Sequence, residues 1–210
     1  MESPDLAEPG LKRIVLASGN PGKIREIRAL LAPLAIEVLP QAEMGISEAE
    51  EPYDTFLENA LAKARHASRA SGLPALADDS GLCVDALGGA PGVHSAYYAG
   101  REGDRATRDA RNNAKLLAAL KDNRKARYTC VMVLARNPQD ESPLVAEGLW
   151  HGEIARSPRG ANGFGYDPLF FIWELQKTAA ELDPELKNRI NHRGIALARL
   201  LELLRGPGHP

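Results

Sequence analysis

Leu73-Pro74-Ala75-Leu76-Ala77-Asp78-Asp79-Ser80-Gly81-Leu82-Cys83-Val84 sets two adjacent carboxylates inside a short apolar run. The four residues Asp78 to Gly81 read in two ways. Asp, Ser and Gly are common turn residues, so the plain reading is an Asp-rich turn between two strands. The other reading is a site. Carboxylates in so apolar a setting are costly to desolvate unless a divalent metal, a lysine or a protonated partner meets them. Ser80 and Gly81 add a small hydroxyl and a flexible backbone, which suit close approach by a ligand.

Outward from this stretch, strands and helices are mixed. Ile14 to Ala17 reads as a strand, Ser18-Gly19-Asn20-Pro21-Gly22 as a turn, and Lys23 to Leu31 as a helix with Ile24, Ile27, Leu30 and Leu31 at helical spacing. Pro33 ends it. Ile36 to Leu39 is a second strand. Thr55-x-x-Glu58 fits a capping box for a helix that runs to about Ala70 and stops at Gly72. Phe56, Ala60, Ala64 and Ala67 can face the core, while Thr55, Asn59 and Lys63 share another face. Residues 86–103 form a glycine-rich loop. A helix from Arg105 to Leu120, strands at Tyr128–Ala135, Leu144–Ile154 and Leu169–Ile172, and a last helix from Asn191 to Leu204 complete the pattern. This mixture predicts an α/β fold around one sheet, with no linker marking a domain boundary. Residues 1–11 and 206–210 read as tails.

The chain has 210 residues, 44% hydrophobic and 26% charged, enough to bury roughly 70% of its unfolded surface. Lys plus Arg number 26 against 28 Asp plus Glu, so no strongly basic balance points to a duplex nucleic-acid binder. Cys83 and Cys130 lack CxxC spacing and imply neither a zinc site nor a disulfide framework. The start lacks the basic and apolar segments of a signal peptide, and no apolar run approaches membrane-spanning length. The expectation is a soluble cytoplasmic protein, with no nucleic-acid and no membrane partner.

Three further islands can carry chemistry. The turn Ser18 to Lys23 looks like a phosphate cradle, because a helix N-terminus offers N–H groups and a positive dipole end, and Lys23 adds a charge. It is not a Walker loop, since its glycines stand too close and Ile24 occupies the magnesium-binding Ser/Thr position. In Asn162-Gly163-Phe164-Gly165-Tyr166-Asp167-Pro168, a ring between glycines can stack on a base and Asp167 can accept from ring N–H groups. Its plain reading is a hairpin with Phe164 in the core. Lys187 and His192-Arg193-Gly194 form the last island, where the planar fork of Arg193 can donate to carbonyl or phosphate oxygens. Glu48, Glu50 and Glu51 are either a solvated acidic face or the source of one more carboxylate around a hard cation.

Taken together, these motifs resemble the inosine triphosphate pyrophosphatase family, the non-standard purine NTP pyrophosphatases. The match spans about residues 13 to 204 and includes Ser18-Gly19-Asn20-x-Gly22-Lys23 and Thr55-Phe56-x-Glu58-Asn59-Ala60 with Lys63-Ala64. It continues through Ala77 to Leu82, Leu87 to Gly92, Gly163 to Pro168 and His192-Arg193-Gly194. Several motifs in the right order are far more specific than any one.

The resemblance implies an enzyme dependent on Mg2+ that splits ITP, dITP or XTP into monophosphate and pyrophosphate and so cleanses the nucleotide pool. It implies an elongated mixed β-sheet flanked by helices, with two lobes and a central active-site cleft, over residues 12–205, as a homodimer. By residue matching, Asp79 is the general base and a metal ligand, and Glu51 is the other metal carboxylate. Ser18, Gly19, Asn20, Pro21, Gly22, Lys23, Lys63 and Ser80 would contact the triphosphate. Phe164, Gly165, Tyr166, Asp167, Lys187, His192 and Arg193 would form the nucleoside pocket. The chain departs from the family pattern at Ser18 (commonly Thr), Tyr97 (commonly Arg), Asn191 (commonly Ser) and Trp173 to Gln176. Two alternatives stand beside this reading: a pyrophosphatase for other modified or pyrimidine NTPs, and a nucleotide-binding sensor without turnover.

Overall fold

The computed structural model describes residues 11–34 and 36–205. Of the expected tails, residues 1–11 and 206–210, all but residue 11 lie outside the described residues. Among the described residues, seven strands form one mixed sheet: β1 (Arg13–Leu16), β2 (Glu37–Pro40), β3 (Ala75–Val84), β4 (Lys125–Ala135), β5 (Leu144–Ile154), β6 (Phe170–Ile172) and β7 (Lys177–Thr178). Their order is β2-β1-β3-β4-β5-β6-β7. β1 runs parallel to both β2 and β3, whereas β6 is antiparallel to β5 and β7. The helices are α1 (Pro21–Leu31), α2 (Phe56–Ser71), α3 (Arg105–Ala119), α4 (Pro184–Ile190) and α5 (His192–Arg205).

The deciding stretch is not a turn. Residues 75–84 are one continuous strand, and all but Ser80 are buried. A strand covered on both faces reads as an unbroken apolar run rather than an alternation. The two aspartates interrupt that run without breaking the strand.

The chain divides into two compact units. The first comprises residues 1–79, 131–148 and 193–210, and the second residues 80–130 and 149–192. The changes of unit fall inside β3, β4 and β5 and at the start of α5, so no linker exists for the sequence to show. In the first unit, Ala60, Ala64 and Ala67 of α2 pack on Val15, Ala75, Ala77, Val131 and Val133. Small alanines let this helix sit close to the sheet. In the second unit, Leu82, Val84, Leu116, Tyr128, Trp150, Tyr166, Leu169 and Phe170 form the core.

Helix ends follow local chemistry. Thr55 caps α2 by accepting from the Glu58 N–H, and Gly72 closes it in the left-handed conformation at φ 70°. α1 starts at Pro21, earlier than its apolar spacing suggests, because proline is favoured at the first helical position. α4 and β7 lie outside the elements that the sequence pattern predicts. Asp183-Pro184, a cap followed by an N1 proline, is the signal for α4 that the sequence does carry. The 86–103 loop is folded into two 3-10 turns, Asp85–Leu87 and Gly92–Tyr97.

Candidate active site

Strand alternation sends Asp78 and Asp79 to opposite faces of β3. They therefore do not act as a pair sharing one cation. Asp79 lies on the Ala75–Ala77 face, the one covered by α2. There Lys63 donates to Asp79 Oδ1 at 2.9 Å and Asn59 Nδ2 reaches Asp79 Oδ2 at 3.5 Å. Asn59 and Lys63 stand four apart, so one helical face delivers both. The Lys63 ammonium also donates to Glu51 Oε1 at 2.7 Å. Glu51 and Asp79 thus converge on a single positive charge.

Asp78 faces α1 and α5. Lys23 Nζ lies 3.0 Å and Arg193 Nε 3.3 Å from its Oδ2, and Arg193 also pairs with Glu26. Glu26 stands three residues after Lys23, which puts both on one face of α1. Arg193 is 1% exposed. Its fork is directed at carboxylates of the first unit.

The glycine turn differs from a cradle of free N–H groups. Asn20 Oδ1 accepts from Gly22 N at 2.9 Å and from Lys23 N at 3.3 Å, and Ser18 Oγ accepts from Asn20 N at 3.2 Å. Pro21 has no N–H. The turn is internally capped, so what it offers an anion is Lys23, the helix dipole and the two capping side chains. A Cβ at Gly19 would run into the Glu48 carboxylate.

The second unit holds the other island. Asp167 Oδ2 accepts from Lys187 Nζ at 2.7 Å and from Phe164 N at 2.8 Å. Lys187 and Asp167 are both buried. The Phe164 ring is only partly buried, with Arg105 and Lys187 each 5.0 Å from its centroid. The hairpin expectation with Phe164 deep in the core therefore does not hold. Tyr166 is the anchor instead, buried and donating to Ser95 O at 2.9 Å. His192 stacks on Tyr128 with centroids 4.6 Å apart. Ser80 is the first residue of this unit. At Gly81, a Cβ would collide with the Gly92 carbonyl. Tyr97, where the family pattern has Arg, carries the Arg101 guanidinium 4.2 Å from its ring centroid.

The Ham1 family model matches residues 14–203. The chain belongs to the Ham1 family. Relatives named dITP/XTP pyrophosphatase agree in length as well as sequence. That of Bordetella pertussis is 61% identical over 209 residues, 98% of this chain and 97% of the relative. That of Burkholderia pseudomallei is 59% identical over 204 residues, 96% of each. Among solved structures, a HAM1 protein from Coxiella burnetii superposes with TM-score 0.83 at 50% identity, covering 91% of this chain and 98% of that one. The Staphylococcus aureus Ham1 protein gives 0.80 at 39% identity, covering 94% and 100%.

The two aspartates of this Ham1 chain differ in electrostatics. Burial raises the Asp79 carboxyl above its ordinary value of 3.8, and it outweighs the opposing pull of Lys63 and Lys23. Burial also acts upward on Asp78, but Lys23 and Arg193 together outweigh it and hold that carboxyl low. Lys63, desolvated yet facing Asp79 and Glu51, is held firmly charged. A base gains strength as its pKa rises, so Asp79 is the better proton acceptor and Asp78 the fixed anion.

Asp78→Asn separates these roles. A buried charge left without its partner costs about 3–5 kcal/mol, so the variant should unfold at markedly lower urea than the parent at neutral pH. Asp78 has a depressed folded pKa, so its contribution is fully present above the unfolded value of 3.8 and fades as pH falls through the lower folded value. The stability gap between parent and variant should stay constant down to about the unfolded value of 3.8 and narrow as pH falls below it. A gap that already closes near neutral pH would count against this assignment.

Proposed function

We propose that this Ham1 chain hydrolyses ITP, dITP and XTP to the monophosphate and pyrophosphate. The observation that carries the reading is Asp79, a buried carboxylate of raised pKa fixed by Lys63 and Asn59 beside Glu51. The names of the Bordetella and Burkholderia relatives support the same activity.

Asp79 takes a proton from the water that attacks the α-phosphorus. The bond between the α-phosphorus and its bridging oxygen breaks, and the β- and γ-phosphates leave as pyrophosphate. Lys23 and Lys63 offset the charge of the triphosphate tail. Ser18, Asn20 and Ser80 add polar side chains for its oxygens. Phe164, Asp167 and Lys187 hold the base. Arg193 and His192 support these groups from within their own units, Arg193 through Asp78 and His192 through the Tyr128 stack.

The donor set fits magnesium. Glu51 and Asp79 direct oxygens at one cation position, now held by Lys63 Nζ. Magnesium usually takes one or two protein carboxylates and fills its shell with phosphate oxygens and water. Among the described residues, no group of three or more His, Cys, Asp or Glu side chains converges, so the remaining ligands would come from substrate and solvent. When bound, the ion neutralises charge on the phosphates.

The reading includes a single functional domain over residues 12–205 that acts in the cytoplasm as a homodimer. No described helix is long and apolar enough to cross a membrane. The deciding assay incubates the protein with magnesium and a panel of NTPs and scores pyrophosphate against inorganic phosphate. ITP should give pyrophosphate and IMP in equal amounts. Stepwise phosphate release through IDP would overturn attack at the α-phosphorus.

A further inference from the structure

Helix α3 touches the 163–167 loop at one residue from both sides. Asp109 Oδ2 accepts from the Gly165 N–H at 2.9 Å, and Asn113 Nδ2 donates to the Gly165 carbonyl at 2.9 Å. Residues 109 and 113 are four apart, so they share one face of the helix, a turn from each other. Arg105 extends the same face. It pairs with Asp109 at 3.6 Å and lies over the Phe164 ring at 5.0 Å. All these residues belong to the second unit.

The loop needs such a hold. Gly163 and Gly165 have φ of 79° and 63°, a region that glycine enters freely and as freely leaves. Tyr166 and Asp167 are buried and fix the loop after Gly165. Before it, Phe164 is only partly buried, with its N–H donating to Asp167 Oδ2 at 2.8 Å. With both polar groups of Gly165 bonded to a helix, the peptide planes on either side of it are fixed, and so is the direction in which Phe164 leaves the chain.

We infer that Asp109 and Asn113 are positioning residues for base recognition, a helix-borne clamp that orients the Phe164 ring through the Gly165 peptide groups. The inference rests on the reading that this loop receives the purine. Neither residue touches the reacting atoms. Their loss therefore weakens binding of the base and leaves the phosphorus chemistry intact.

The test compares Asp109→Ala, Asn113→Ala, Asp109→Asn and Phe164→Ala in the full chain, with steady-state kinetics on ITP and amide hydrogen exchange of residues 163–167. Asp109→Ala and Asn113→Ala should each raise KM about tenfold, with kcat changed less than about twofold, and speed exchange at Gly165. Asp109→Asn keeps an acceptor oxygen and should restore most of the lost affinity. Asn113 sits on a half-buried face, so its truncation keeps the fold even if Asp109→Ala does not. If Phe164→Ala raises KM while both clamp variants leave KM and exchange at parental values, the clamp is refuted and the base site stands. If Phe164→Ala itself leaves KM unchanged, the base-site reading fails and the inference falls with it. Equal losses in kcat from the clamp variants would also overturn it.

Discussion

Asp79→Asn should lower ITP turnover by at least about a hundredfold, the usual scale for losing a general base. Asparagine keeps the size of the side chain and still offers an oxygen to Lys63, so the fold should survive. What it loses is basicity and one carboxylate charge of the pair that faces Lys63. The comparison with Asp78→Asn sharpens the test. The two residues are neighbours in sequence on opposite faces of β3, and one variant should fail in chemistry while the other fails chiefly in stability. Both are measured by turnover with saturating magnesium and by urea unfolding at neutral pH. A near-parental rate for Asp79→Asn in a folded protein would exclude Asp79 as the base.

Base choice should produce an effect of similar size. Hypoxanthine and xanthine present an oxygen at purine position 6 and an N–H at position 1. Adenine presents an amino group and a bare nitrogen there. A buried donor aimed at the 6-oxo group and an acceptor aimed at N1–H would both be left unpaired by adenine, at roughly 1–3 kcal/mol each. Together they give on the order of a hundredfold discrimination or more. The second unit offers a matching pair of polarities in Lys187 and Asp167, buried beside Phe164. Guanine keeps the 6-oxo group, so its rejection must act at the 2-amino group, where xanthine carries oxygen. ITP, dITP and XTP should be turned over well, and ATP and GTP poorly. Comparable kcat/KM on ITP and ATP would overturn the base-pocket reading.

Particular residues show how far the sequence could be read. The α2 alanines, the Thr55 cap and the Gly72 stop are local signals, and the helix lies within a residue or so of where they place it. Asn59 and Lys63 were legible as a shared face because helical period alone fixes it. Arg193 was not. Its place at the start of the last helix suggests a fork that could face a ligand, whereas the fold directs it, buried, at Glu26 and Asp78, residues 167 and 115 positions away. Asn20 shows the reverse error. The N-cap side chain, immediately before the helix, can itself satisfy the N–H groups that seemed open to phosphate. Asp109 and Asn113 carried no signal, since polar residues on a helix face are ordinarily solvated.

By itself, the sequence determined the alternation of strands and helices, the helix caps and the set of motifs that marks the family. These rest on local backbone preferences and short periodicities, which act within a few residues. The tertiary structure decided what the central carboxylates do. The continuity of β3 through residues 78–81 turned an apparent turn into a two-faced strand. Its pleat then gave Asp79 to Lys63 on α2 and Asp78 to Lys23 and Arg193 on α1 and α5. Which cation meets which buried carboxylate depends on helices brought to opposite faces of one sheet, and no spacing along the chain encodes that.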